Sequence, residues 1–90
     1  MLARVATFDA LPERLPDEAV DLLRDTIRGV PGYVGGFHLV HPETRMALSI
    51  VVFEDHAAVQ RAGEALSRRP HERLVGVEPD RVEYFEATPF

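Results

Sequence analysis

Met46 to Phe53, MALSIVVF, decides the fold, because large apolar side chains occupy both parities of a segment whose composition is that of a β-strand. Leu48, Ile50 and Val52 fall on one face, and Ser49, Val51 and Phe53 on the other. A chain of 90 residues with two good helical segments can cover only one side of a small sheet. Leaving Leu48, Ile50 and Val52 in water would forfeit about 1.5 to 3 kcal/mol each. The uncovered face therefore calls for a second copy of the chain, and homodimerisation through the sheet is the first expectation.

Upstream, Tyr33 to His41 reads as a strand, with Pro31 and Gly32 turning the chain into it. Pro42-Glu43-Thr44 makes a tight connection to the strand Arg45 to Phe53, so the two form a hairpin. With His41 opposite Met46, Leu39 meets Leu48, Phe37 meets Ile50, His38 meets Ser49 and Val34 meets Phe53. Phe37, Leu39, Leu48, Ile50 and Val52 then share the face that needs a partner. Val34, Gly36, His38, Val40, Ser49, Val51 and Phe53 look toward the helices.

Farther out, Asp17 to Arg28 repeats Ala19, Val20, Leu23 and Ile27 at helical spacing, with charged residues opposite. Pro16 suits its first turn, Asp17 and Glu18 complement the positive end of its dipole, and Gly29 stops it. Asp55 caps a second helix whose stripe is Ala58, Val59, Ala62, Ala65 and Leu66, and Pro70 ends it. Gly63 costs that helix about 1 kcal/mol relative to alanine, which close packing against a neighbour would explain. Leu2 to Ala10 and Arg81 to Ala87 have strand composition. Alternation puts Val82, Tyr84 and Glu86 on one face of the last strand. The order βαββαβ predicts an α+β, ferredoxin-like fold with a four-stranded antiparallel sheet in the order 4-1-3-2.

Length and composition indicate a single domain over residues 1–90: 46% hydrophobic content is ordinary for a globular chain and too high for disorder. No apolar run approaches the ~20 residues of a membrane helix, and MLARVATFDA has no signal-peptide pattern, so a cytoplasmic protein is expected. Fifteen acids face ten arginines and no lysine, giving a net charge of −5 that disfavours nucleic acid and anionic lipid. The absence of lysine removes Schiff-base chemistry, and the absence of cysteine removes disulfides, thiolate metal sites and a thiol nucleophile. His38 and His41 point to opposite faces of a strand, so no zinc site is expected. GYVGG has no helix at once behind it, unlike a dinucleotide fingerprint, and Ser49 and Ser67 sit in no nucleophile elbow.

The run Pro31 to Ala62, PGYVGGFHLVHPETRMALSIVVFEDHAAVQRA, resembles the centre of the dimeric α/β-barrel family that includes antibiotic-biosynthesis monooxygenases and haem-degrading monooxygenases. Pro31, Gly32 and Tyr33 match its turn into strand two, and Phe53 and Glu54 its aromatic-acid pair before helix two. The resemblance implies a barrel closed by the sheets of two subunits, and a small aromatic or polyketide-like ligand held between sheet and helices without a cofactor. It implies a pocket lined by Thr7, Val34, Gly36, Ser49 and Phe53. His38 is the candidate acid or base there, because imidazole titrates near neutrality; the alternative is a partly buried histidine hydrogen-bonded to Ser49 or a backbone carbonyl.

Monooxygenases of that family carry an asparagine and a tryptophan four positions apart on strand three. Ser49 and Phe53 hold that spacing here, and they supply neither the amide's donor and acceptor pair nor the indole donor. A dimeric ligand-binding or accessory domain without turnover is therefore the alternative. Haem binding or degradation is a remote third, since Thr7 and Phe53 replace the residues expected on strands one and three and His71 lies beyond Pro70. The tail Ala87 to Phe90 is expected to cross onto the partner.

Overall fold

A computed structural model describes residues 1–9, 17–67 and 79–90, with only the backbone described at residues 17–20, 22, 23 and 66. The elements run β1 (Leu2–Phe8), α1 (Asp17–Arg28), β2 (Tyr33–Val40), β3 (Ala47–Phe53), α2 (His56–Ser67) and β4 (Arg81–Glu86). The sheet order is β2-β3-β1-β4 with every neighbouring pair antiparallel, as the pattern predicts. Two split βαβ units interleave: β1-α1-β2 straddles β3, and β3-α2-β4 straddles β1. The fold is α+β and ferredoxin-like.

Local chemistry accounts for the element ends. The Asp55 carboxylate accepts the backbone N–H of Ala58 at 2.9 Å, the N-cap bond expected three residues into α2. β1 stops at Phe8 rather than Ala10 because the Asp9 N–H turns to the Asp80 carboxylate at 2.7 Å while the Asp80 N–H bonds the Thr7 carbonyl at 2.8 Å. β3 starts two residues later than expected, since Arg45 has φ 64° and belongs to the turn. The His41 N–H bonds the Met46 carbonyl at 2.8 Å, closing the hairpin where the pattern puts it. His41 also shapes the turn: its Nδ1 accepts the N–H groups of Glu43 and Thr44 at 3.1 and 3.2 Å. Pro12, Pro16, Pro70 and His71 lie outside the described residues.

The core lies between one sheet face and the helices. Ile27 and Val30 from the α1 end join Ala58, Val59 and Ala62 of α2 over Val51 and Phe53 of β3, with Leu2, Tyr33 and Ala65 at the margin. Phe53 is only 1% exposed and anchors this cluster. On the opposite face nothing described covers the sheet. Phe37, Leu39 and Phe85 are 74%, 47% and 49% exposed there, and Leu48, Ile50 and Val52 are half-buried. The two faces of the opening stretch thus meet different surroundings. Among the described residues no helix is long and apolar enough to cross a membrane.

The hairpin register agrees with the expected pairs at His38–Ser49, Leu39–Leu48 and Phe37–Ile50, and departs from it at the start of β2. A bulge between Tyr33 and Gly35 puts Tyr33, not Val34, opposite Phe53 and leaves Val34 49% exposed. Just past the bulge, the chain approaches its neighbour closely within the sheet. A Cβ on Gly36 would come 2.7 Å from the Ile50 carbonyl oxygen, so the glycine admits the backbone of β3 rather than a helix or a ligand. Gly63 is also corrected: a Cβ there meets nothing within 4 Å, so tight packing is not its role.

Candidate functional site

Strand alternation and register place Leu2, Arg4, Ala6 and Phe8 of β1 on the face under the helices, beside Phe53, Val51, Ser49 and Ala47 of β3. On the other side of β1, Tyr84 pairs with Arg4 and Val82 with Ala6. A cavity of about 260 Å³ opens between this face and the helices. The sheet contributes Arg4, Val51, Phe53 and Tyr84 to its wall. The helices contribute Ile27, Val59, Ala62 and Gly63. Gly63 and Tyr84 are exposed and mark the mouth, whereas Phe53, Val51 and Ala62 are buried and form the interior. The missing side chain at Gly63 leaves this space open.

Among the described residues of the wall, Arg4 and Tyr84 are the two with polar side chains. An apolar pocket with a few convergent polar groups is the usual form of a small-molecule site, and this volume lies just below the ~300 Å³ at which such pockets generally begin. It can exclude water from a ring and orient a polar substituent. Among the described residues, no three histidines or carboxylates come together as a metal site would need.

The residues expected to line a pocket are only partly brought together. Phe53 is in the cavity wall. Ser49 and His38 pair with each other on the same sheet face, outside that wall. His38 is exposed rather than buried between layers, and its ring meets the edge of Phe8 with centroids 6.4 Å apart and an interplanar angle of 72°. No hydrogen bond joins it to Ser49. Gly36 lies against β3, and Val34 stands in the bulge. Thr7 is buried at 1% exposure, but it pairs with Leu48 and Arg81 and so stands on the face away from the helices. One residue of strand parity separates it from the pocket side.

Arg4 was not singled out by sequence reasoning, although a signal existed. It is the one charged residue in LARVATF, and it shares parity with Leu2 and Ala6. Its meaning depends on the pairing of β1 with β3 and β4, which sets which parity faces the helices.

No family model matches the chain, and no curated protein matches it in sequence. Solved structures do. SnoaB, a cofactor-independent oxygenase from Streptomyces nogalater, superposes with a TM-score of 0.65 at 20% identity, over 99% of this chain and 91% of that one. A monooxygenase from the gene ActVA-Orf6 of Streptomyces coelicolor, in complex with nanaomycin D, gives 0.62 at 19% identity, over 99% and 88%. PA3566 from Pseudomonas aeruginosa gives 0.56 at 22% identity, over 99% and 93%. At these identities the likeness is one of architecture: the chain shares the fold of these three structures.

Proposed function

We propose that the chain is a homodimer that takes a small flat aromatic molecule between sheet and helices and oxidises it in the manner of a cofactor-independent monooxygenase. The observation that carries this reading is the apolar cavity with Arg4 and Tyr84 in its wall. Its interior suits an aromatic ring: Phe53, Val51 and Val59 exclude water and contact the faces of the ring. Arg4 and Tyr84 orient its oxygen substituents. In such chemistry the substrate itself supplies the electrons: a ring methylene and one molecule of dioxygen give a ring carbonyl and one molecule of water. The site must therefore favour a substrate that can release a proton and delocalise the charge left behind. The two Streptomyces structures, one named a cofactor-independent oxygenase and the other a monooxygenase bound to nanaomycin D, support the reading.

The dimer is proposed to form through the face carrying Phe37, Leu39 and Phe85, whose exposure in a single chain is costly in water. The terminal Phe90, fully exposed, is proposed to reach the partner.

Oxygen uptake with a panel of hydroxynaphthalenes and anthrones, in metal- and flavin-free buffer, tests the activity. Uptake that Phe53→Ala abolishes is the expected result. A second reading, a binding domain without turnover, is favoured by the cavity wall itself. Among the described residues no carboxylate or imidazole stands in it to take a proton, and Ser49 and Phe53 occupy the positions of the resemblance's asparagine and tryptophan. Saturable binding without oxygen uptake would decide for that reading. Haem titration is expected to give no Soret shift, because a cavity of about 260 Å³ is too small for a tetrapyrrole.

A further inference from the structure

Among the described residues of the cavity wall, Arg4 carries the single formal charge. Arg4 stands in the middle of β1 between Val51 and Tyr84, half-buried, in a wall whose other described side chains are apolar apart from the Tyr84 phenol. Several other arginines have partners in the fold. Arg24 pairs with Asp21 and Asp25, Arg81 with Glu83, and Arg61 donates to the Pro31 carbonyl. Arg4 forms no hydrogen bond or ion pair with any described residue, and no described carboxylate lies within 4 Å of its nitrogens. Glu86 is the acid that follows Tyr84 on the same strand face; it is exposed and takes no part in an ion pair.

A guanidinium partly withdrawn from water beside an apolar wall is costly until an anion meets it. Its planar fork of donors matches a carboxylate with two parallel bonds. The net charge of −5 disfavours anions over the surface as a whole, so any preference for one must be local. The volume of about 260 Å³ favours one or two fused rings over a larger polycycle.

We propose that the cavity selects a one- or two-ring aromatic carboxylate, with its ring among Phe53, Val51 and Val59 and its carboxylate on Arg4, which is the specificity-determining residue. The inference rests on the cavity being the ligand site, as proposed above, and it adds the charge and size of the ligand.

Titration calorimetry of the full chain with 2-naphthoate and its uncharged analogue 2-naphthamide tests it. The acid is expected to bind about ten- to a hundredfold more tightly than the amide. Arg4→Gln should erase that difference and leave amide binding in place, while Arg4→Lys should retain part of it. Gly63→Leu, which places a side chain at the open mouth, should remove both ligands. Thermal melts establish that each variant is folded. Equal affinities for acid and amide, both lost in Gly63→Leu, overturn the charge selection and leave the cavity as the site. Acid binding that Gly63→Leu does not alter overturns both, and so does the failure of both ligands to bind. Acid affinity unchanged in Arg4→Gln overturns the role of Arg4.

Discussion

Substituting Gly32 by alanine should be among the most damaging small changes available to this chain. Gly32 has φ +94°, a conformation that costs an L-residue about 1–2 kcal/mol. A Cβ there would stand 2.5 Å from the Ala58 Cβ, well inside the ~3.5–4.0 Å of normal carbon contact. Ala58 has no exposed surface and cannot move aside without lifting α2 from the sheet. Overpacking of that kind costs about 1–3 kcal/mol, so the total is about 2–5 kcal/mol out of the ~5–15 kcal/mol of an ordinary domain. The turn is tied on both sides. The Gly32 carbonyl accepts the Glu54 N–H at 2.8 Å, and Arg61 donates to the Pro31 carbonyl at 2.9 Å. Urea unfolding followed by circular dichroism, at one fixed protein concentration, should show a lower midpoint with an unchanged slope. Ala58→Gly alone should cost about 1 kcal/mol from helix propensity. In the double variant the steric part vanishes, so the pair should couple favourably by about 1–3 kcal/mol. Gly32→Ala within about 0.5 kcal/mol of the parent, or strict additivity with Ala58→Gly, would refute the reasoning.

Phe37→Asp touches a side chain 74% exposed in the single chain, so it should leave the fold of one subunit intact. Light scattering should show a monomer for the variant and, on the proposed interface, a dimer for the parent; a variant that remains dimeric rules out the sheet-face interface. His41→Ala removes the acceptor for two turn N–H groups and should cost about 1 kcal/mol, read as faster hydrogen exchange in the β2–β3 hairpin. His41→Asn, which keeps a short-range acceptor, should recover most of it. Gly63→Ala should stabilise by about 0.5–1 kcal/mol in a thermal melt, because helix entropy improves and a Cβ meets nothing within 4 Å. A lower melting temperature would mean that α2 needs the glycine.

Most of the architecture was legible in the chain because it is written in short-range chemistry. Helical spacing with the Asp55 cap set α2, the period of two set the strands, and the hairpin closed at His41 and Met46 as its turn residues imply. The site was less legible. His38, Ser49 and Phe53 do share a face, but Thr7 is one parity away and Val34 is displaced by the bulge, next to which the Gly36 backbone lies close to the Ile50 carbonyl. Nothing in the local run GYVGGF distinguishes that contact from a glycine kept for a helix or a ligand.

By itself, then, the sequence determined the order of elements and the unequal fates of the two faces of MALSIVVF, since periodicity and the limited cover available from two helices are properties of the chain. Only the tertiary structure decided that Arg4 and Tyr84, from opposite ends of the sequence, stand side by side in a cavity that Gly63 leaves open. The physical reason is that pairing between distant strands selects which parity of each faces the helices, and the space left between layers depends on every side chain around it.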